Sequence, residues 1–313
     1  MKRITTIFLI IIALGAILFW QYTPKKSRNN NKIFQAKIGE KDDLIKAKEL
    51  VLRNDSKSAI ELEQMLDSPS EKVRSASAKT LGIIQAKESF HALIQSLNDS
   101  SWQVRMQAAR SLGKLGDKRA VDPLIMFVSD PAKGIEARAT AILALGELKA
   151  KGATSLITEI LEDETQDFGL QIAAIRAIST IGDSNSEPLV KSFLGSERRE
   201  IRFNTIRTLG KIGTVLSIDD LTKIIRNDTE ADHLRTGALI SIGRIGGDKA
   251  SSILVEMLNH QDEYIGMYAA KGLSLTKNTE AVPSLLSFLQ RVKDPYVKES
   301  VNKCIDLLSD FGR

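Results

Sequence analysis

Between residues 57 and 311 the apolar and small residues fall three or four positions apart, and the whole pattern returns about every thirty residues. The clearest landmark follows a large apolar residue and stands at Gly82, Gly113, Gly146, Ser179, Gly210, Gly243, Ser274 and Asp306, with spacings of 31, 33, 33, 31, 33, 31 and 32. One residue before it come Leu81, Leu112, Leu145, Ile178, Leu209, Ile242, Leu273 and Ile305, all large and apolar. Five before it come Ser77, Ala108, Ala141, Ala174, Thr205, Ala238, Ala269 and Val301, mostly small, and nine before it Val73, Val104, Ala137, Leu170, Ile201, Leu234, Ile265 and Val297. At 3.6 residues per turn these positions share one side of a helix. Each copy therefore predicts a helix with one buried stripe, whose small residues admit a close neighbour.

A second helix precedes it in each copy, announced by segments such as "AVDPLIMFV" and "AVPSLLSFL". Pro123, Pro188 and Pro283 stand near the starts of these helices, where a missing N–H costs nothing. The polar turns between the two helices ("LDSPSEKVR", "LNDSSWQVR", "IRNDTEADHLR") carry Asp and Ser, good helix N-caps. The landmark glycine reads as relief of crowding within the last helical turn, and a second glycine three residues on, at 116, 182, 213 and 246, as a left-handed cap. A lone hairpin of this kind cannot bury its stripe, whereas identical hairpins can stack. The predicted fold is an all-α solenoid of about eight two-helix units over residues 57–313, with a capping helix at 40–56.

This pattern resembles the short HEAT-like repeats known from phycobilisome lyases, and the resemblance covers about residues 57–311. It implies an armadillo-like helical solenoid that binds protein along a concave surface. It also implies a ladder linking neighbouring units, carried eight residues before the landmark by Arg74, Arg105, Arg138, Arg202 and Arg235, with Asp67, Asp99, Asp130 and Asp228 in the adjoining turns. Gln171, Gly266 and Lys298 depart from that row. Among similar proteins are bilin lyases, whose catalytic residues have no match here, and deoxyhypusine hydroxylase, whose di-iron site uses repeated His-Glu pairs. The three histidines of this chain read His91-Ala92, His233-Leu234 and His260-Gln261, so that pair is missing and no metal is expected. No phosphate-binding glycine loop, zinc-protease helix or nucleophile elbow is present, so no catalytic or cofactor-binding residue is assigned. Trp102 and Phe168 read as turn aromatics, packed on the next unit or anchoring a partner, and Cys304 as a small packing residue.

The first 24 residues differ in kind. Ile4 to Pro24 is a run of 21 uncharged residues, about 31 Å as a helix at roughly 1.5 Å per residue, which matches the hydrocarbon thickness of a bilayer. Trp20 and Tyr22 lie where an interfacial belt is expected. Residues 1–24 are read as a single-pass membrane anchor and 25–39 as a polar tether, the alternative being a cleaved signal that frees a secreted or periplasmic module. Cations flank the run on both sides (Lys2 and Arg3; Lys25, Lys26, Arg28 and Lys32), so orientation stays open, with the short basic tail leaning toward export of the body.

Charge then narrows the partner class. The net charge is +5, but six of the 44 basic residues and none of the 39 acidic ones lie in residues 1–32, leaving a repeat body of 38 basic against 39 acidic groups. Such a body gives no basis for nucleic-acid binding. Within it, however, cations collect in one row. Three residues before the landmark stand Lys79, Arg110, Leu143, Arg176, Arg207, Ile240, Lys271 and Lys303, joined one residue after it by Lys114, Lys211 and Arg244. Two positions from the buried minus-five residue is about 200° around a helix, so this row faces away from the core. The functional reading is a membrane-tethered scaffold or adaptor that needs no cofactor and binds a protein with an acidic segment. A lyase or oxidoreductase activity is the rival, supported by analogy alone.

Overall fold

The computed structural model describes residues 25–53, 55–163 and 165–311. Among them lie 17 α-helices and no strand. Helix α1 (Lys25–Arg53) is followed by eight hairpins: α2 (Ser56–Met65) with α3 (Glu71–Ile83), α4 (Phe90–Ser96) with α5 (Trp102–Leu115), α6 (Val121–Ser129) with α7 (Ile135–Glu147), α8 (Thr154–Glu162) with α9 (Phe168–Ile181), α10 (Glu187–Ser192) with α11 (Arg199–Ile212), α12 (Ile218–Arg226) with α13 (Asp232–Ile245), α14 (Gly247–Met257) with α15 (Glu263–Thr276), and α16 (Val282–Arg291) with α17 (Pro295–Phe311). The landmark falls in the second helix of every hairpin. The residues nine and five before it are buried in all eight copies, and the residue one before it is buried in all but the last, where Ile305 is half-buried.

Each second helix packs on the second helix of the next unit, from α3 on α5 through to α15 on α17, whereas the first helices meet one another only sparsely. The layer with the shorter spacing must lie on the inside of the stack's curve. Small residues make that spacing possible. A Cβ on Gly210 would lie 2.6 Å from Ser241 Oγ, and one on Gly113 would lie 2.9 Å from Ala144 Cβ. The landmark glycine thus makes room for the next unit rather than for its own last turn, which corrects the reading from sequence. The facing row, two residues before the landmark, also bonds across the seam. Ser111 Oγ donates to the Ala78 carbonyl at 2.7 Å, Ser241 Oγ to Ile206 at 2.8 Å and Thr208 Oγ1 to Ile175 at 3.3 Å. Cys304 belongs to this row and is buried, and burial pushes its thiol pKa up, as suits a packing residue.

The second glycine of the motif serves two different purposes. Gly116 and Gly182 end their helices in the left-handed region, at φ 69° and 81°. Gly213 does not: it is extended (φ −69°, ψ 154°), and a Cβ there would strike the Leu209 carbonyl oxygen. Gly246 has a positive φ of 73° but a ψ of −166°, outside the left-handed helical region.

The N-terminal boundaries also differ from expectation. The stretch read as a polar tether at 25–39 and the cap read at 40–56, as far as Arg53, form one continuous helix, α1, because nothing in "KKSRNNNKIFQAKIGEKDDLIKAKELVLR" breaks a helix apart from one tolerated glycine. Its C-terminal half packs on α2 and α3, burying Ala47 and Leu50, with Lys46 and Arg53 both paired to Glu61. Among the described residues no helix is long and apolar enough to cross a membrane. The anchor read at residues 4–24 lies outside the described residues.

Candidate functional site

Two sets of side chains stand out from the packing core. The first is the cation row on the inner layer. Lys79, Arg110, Arg176, Arg207 and Lys303 are exposed, as are Lys114, Lys211 and Arg244, while Lys271 and the interrupting Leu143 and Ile240 are half-buried. Lys303 pairs with Glu299 at 2.6 Å, Arg110 donates to Gln107 Oε1 at 3.4 Å, Arg207 lies 5.5 Å over the Phe203 ring, and Lys271 lies 4.7 Å over Tyr268. Lys79, Lys114, Arg176, Lys211 and Arg244 make no ion pair among the described residues. Glu136 and Glu200 on these helices sit in the first turns, where the helix dipole favours acids, and the row cations occupy the later turns, although Glu147 ends α7 and Asp306 and Asp310 lie late in α17.

The row comes together most closely between α9 and α11. A groove of about 430 Å³ there is lined by Arg176, Arg207 and Lys211 together with Ser179, Thr180, Asn204 and Thr208. Three of the neutral groups already serve the backbone: Thr180 donates to Arg176 O, Asn204 to Glu200 O and Thr208 to Ile175 O. The three cations are what the groove offers a ligand, and a carboxylate or other anion is the group they complement.

The second set is the arginine ladder at the turn edge. Arg74 grips Asp99 of the next unit through Nε and Nη2 at 2.8 and 2.9 Å, while its Nη1 donates to Ser68 O at 2.9 Å. Arg105 spans Asp99 O and Lys133 O, and Arg138 donates to Val128 O at 2.7 Å. Arg202 joins Leu194 O to Glu230 of the next unit. Arg235 takes Ile225 O at 3.0 Å and Asp228 Oδ1 at 2.7 Å, both within its own hairpin. The ladder geometry thus rests on carbonyls as much as on carboxylates. Asp130 caps the turn at Ala132 and pairs with Lys133. Of the two aromatics, Trp102 and Phe168 each begin a helix and are partly exposed, and Phe168 lies under Arg198 of the next unit at 4.9 Å.

Burial pushes the Asp99 carboxyl up, but the Arg74 fork, the Ser101 N–H and the charges of Arg74 and Arg105 outweigh it and hold the group below the usual aspartate range. A carboxyl depressed in the folded state contributes stability that is complete above its unfolded pKa, near 3.8, and is lost as pH falls through the folded value. Asp99→Asn should therefore cost about 1 to 2 kcal/mol at pH 7. The gap between variant and parent in urea midpoints should close as pH drops below about 4. A gap independent of pH would mean that the Arg74–Asp99 pair adds nothing as a charge pair.

Two joints were not legible in the sequence. Glu187, buried at the start of α10, accepts from Ser217 Oγ at 2.5 Å and from Thr214 N–H at 2.9 Å, tying the fifth unit to the sixth. Glu263 accepts the Lys293 and Asp294 N–H groups, tying the seventh unit to the eighth. Glu187 has no acidic counterpart in the other units, and Glu263 shares its place in the period only with Glu71 and Asp232, so the packed structure is what reveals their roles.

The HEAT repeats family model matches residues 59–139, 91–169, 164–236 and 230–305. The chain belongs to the HEAT-repeat family. Its units also align with solved HEAT-like solenoids. The structure of the complex of CpcE and CpcF of phycocyanin lyase from Nostoc sp. PCC7120 matches over 80% of this chain and 94% of that one, at 22% identity and a TM-score of 0.50. YibA of E. coli matches over 80% and 91%, at 20% identity and a TM-score of 0.52. At these identities the likeness concerns the fold. No curated protein shows a significant sequence match to the chain.

Proposed function

We propose that this HEAT-repeat protein is a membrane-tethered scaffold that binds a partner protein through an acidic segment laid along its inner helix layer. The observation that carries the reading is the cation row. Six of eight units place a cation at one helical position, eight of the nine row and flanking cations have no ion pair among the described residues, and three meet in the groove between α9 and α11. An essentially neutral body that gathers cations on one side attracts an oppositely charged segment and weakens its hold as salt rises. That the phycocyanin-lyase relative is itself a complex of two proteins agrees with a protein partner. The tether rests on the uncharged run from Ile4 to Pro24.

The test uses the detergent-solubilised full-length chain and a fluorescent octaglutamate peptide. Binding should weaken steadily with added salt and fall about tenfold or more in the Arg110→Glu, Arg176→Glu, Arg207→Glu triple variant, at an unchanged melting temperature within a few degrees. Equal binding by the folded triple variant would remove the inner layer as the binding surface. Retention of the full-length chain in membranes after carbonate washing, with release of a chain starting at Lys32, tests the tether separately.

A further inference from the structure

Among the described residues the arginine ladder has one vacant place. In three units the ladder guanidinium takes a carbonyl at or just past the end of the first helix, Val128 for Arg138, Leu194 for Arg202 and Ile225 for Arg235, and in two it takes one in the turn that follows, Ser68 for Arg74 and Asp99 for Arg105. It also reaches the next unit's turn in three units, at Asp99 for Arg74, Lys133 O for Arg105 and Glu230 for Arg202. The seventh unit has Gly266 in the row, but its place is filled by the Phe288 ring, since a Cβ on Gly266 would lie 2.7 Å from Phe288 Cε2. The fourth unit has Gln171, and at that point the stack opens into a cleft of about 700 Å³.

The walls of the cleft are what a ladder arginine would use. Leu161 stands ten residues before Gln171, the same offset as Val128 from Arg138 and Ile225 from Arg235, and its carbonyl belongs to the last turn of α8, whose carbonyls lack helical partners. Glu197, in the next unit's turn, supplies a carboxylate at the place where Asp99 and Glu230 serve Arg74 and Arg202, and Glu162 beside Leu161 adds a second from the same unit. Leu189 and the half-buried Phe193 add an apolar side, which suits a planar, weakly hydrated guanidinium and not a compact ammonium. Arg198, the one cation lining the cleft, is laid over Phe168 at its rim, 4.9 Å from the ring centre. A glutamine has the wrong charge and too short a reach to satisfy both sides. The cleft opens at the turn edge, away from the inner cation row, so this site stands independently of the acidic-segment reading.

We propose that the cleft receives an arginine side chain of a partner protein, whose guanidinium completes the ladder between Leu161 O and the carboxylates of Glu162 and Glu197. The volume exceeds one side chain, so the residues flanking that arginine enter with it.

The test follows leucine methyl resonances of the full-length chain in detergent micelles during titration with acetyl-Gly-Arg-Gly-amide. The methyls of Leu161 and Leu189 should shift saturably, with millimolar affinity, and the lysine analogue should bind about tenfold more weakly. Gln171→Arg should abolish the shifts by filling the place from within, while melting no lower than the parent. Glu162→Gln with Glu197→Gln should weaken the arginine peptide to the level of the lysine one. Absence of shifts, equal shifts with the lysine peptide, or undiminished binding by folded Gln171→Arg would overturn the proposal. Because none of these substitutions touches the cation row, the octaglutamate result stands or falls separately.

Discussion

Replacing Gly243 by alanine is expected to cost about 3 kcal/mol or more, the upper end for overpacking, although it adds a single methyl group. The added Cβ would meet Gly272 Cα at 2.6 Å, with the Gly272 carbonyl oxygen also in its way. Both are backbone atoms, and no rotamer change can move them aside. Helices α13 and α15 must separate, and Leu254 and Leu239, which crowd Gly272 from its other sides, lose contact as they do. The same change at Gly113 meets the Glu147 carboxylate, a movable end, together with Ala144, and should cost less. At Gly152, where nothing lies within 4 Å, it should fall within about 0.5 kcal/mol of the parent. Since each unit touches only its neighbours, the damage should stay local. Native-state hydrogen exchange should show lost protection in α13 to α15 before α3 to α7 respond. A Gly243→Ala protein with the parent's urea midpoint and exchange pattern would show that the inner layer is not closely spaced at this seam.

That prediction marks where the sequence stops being informative. The buried rows at minus nine, minus five and minus one were legible because a period of 31 to 33 residues superimposes eight copies of one helical stripe, and all eight hairpins follow from it. The landmark glycine was legible as a position and not as a cause, since the atom that forbids a side chain there belongs to a residue 29 to 31 positions away, such as Ser111 for Gly82 or Gly272 for Gly243. The single 3-10 turns that open most first helices, for example Lys87–Ser89, Lys118–Ala120 and Lys151–Ala153, leave no apolar pattern of their own. Helix α1 runs through the stretch read as a tether because polarity alone does not end a helix; a breaker does. The cation row could be placed on one side of a helix by angle, but its convergence at Arg176, Arg207 and Lys211 depends on how far apart α9 and α11 stand. The cleft at Gln171 required both the departure from the row and the packing that leaves its place unfilled.

Arg235→Ala should cost about 3 kcal/mol, and most of that loss should come from a carbonyl and not from the ion pair. The Arg235 side chain is only 6% exposed, while its acidic partner Asp228 is 74% exposed. An exposed carboxylate is well hydrated and screened, so Asp228→Ala is expected to cost under about 1 kcal/mol. The neighbouring His260 adds no hydrogen bond to the arginine. Its Nδ1 accepts the Asp262 N–H at 3.0 Å, which leaves the proton of the neutral ring on Nε2, so the 3.2 Å approach of Arg235 Nη2 to Nε2 sets donor against donor. What remains is the bond from Nε to Ile225 O at the end of α12, beside an Ile225 side chain that is itself fully buried. Alanine leaves that carbonyl without a partner and a cavity where the arginine stem packed. Arg235→Lys should recover only part of the loss, because a single ammonium cannot reach both the carbonyl and Asp228 with the geometry of the fork. Urea unfolding of the three variants at low and high salt decides the matter. Loss in Arg235→Ala that persists in 1 M salt, about 3 Å of screening length, points to the carbonyl and the packing. A loss that salt abolishes, or one matched by Asp228→Ala, would return the role to the charge pair.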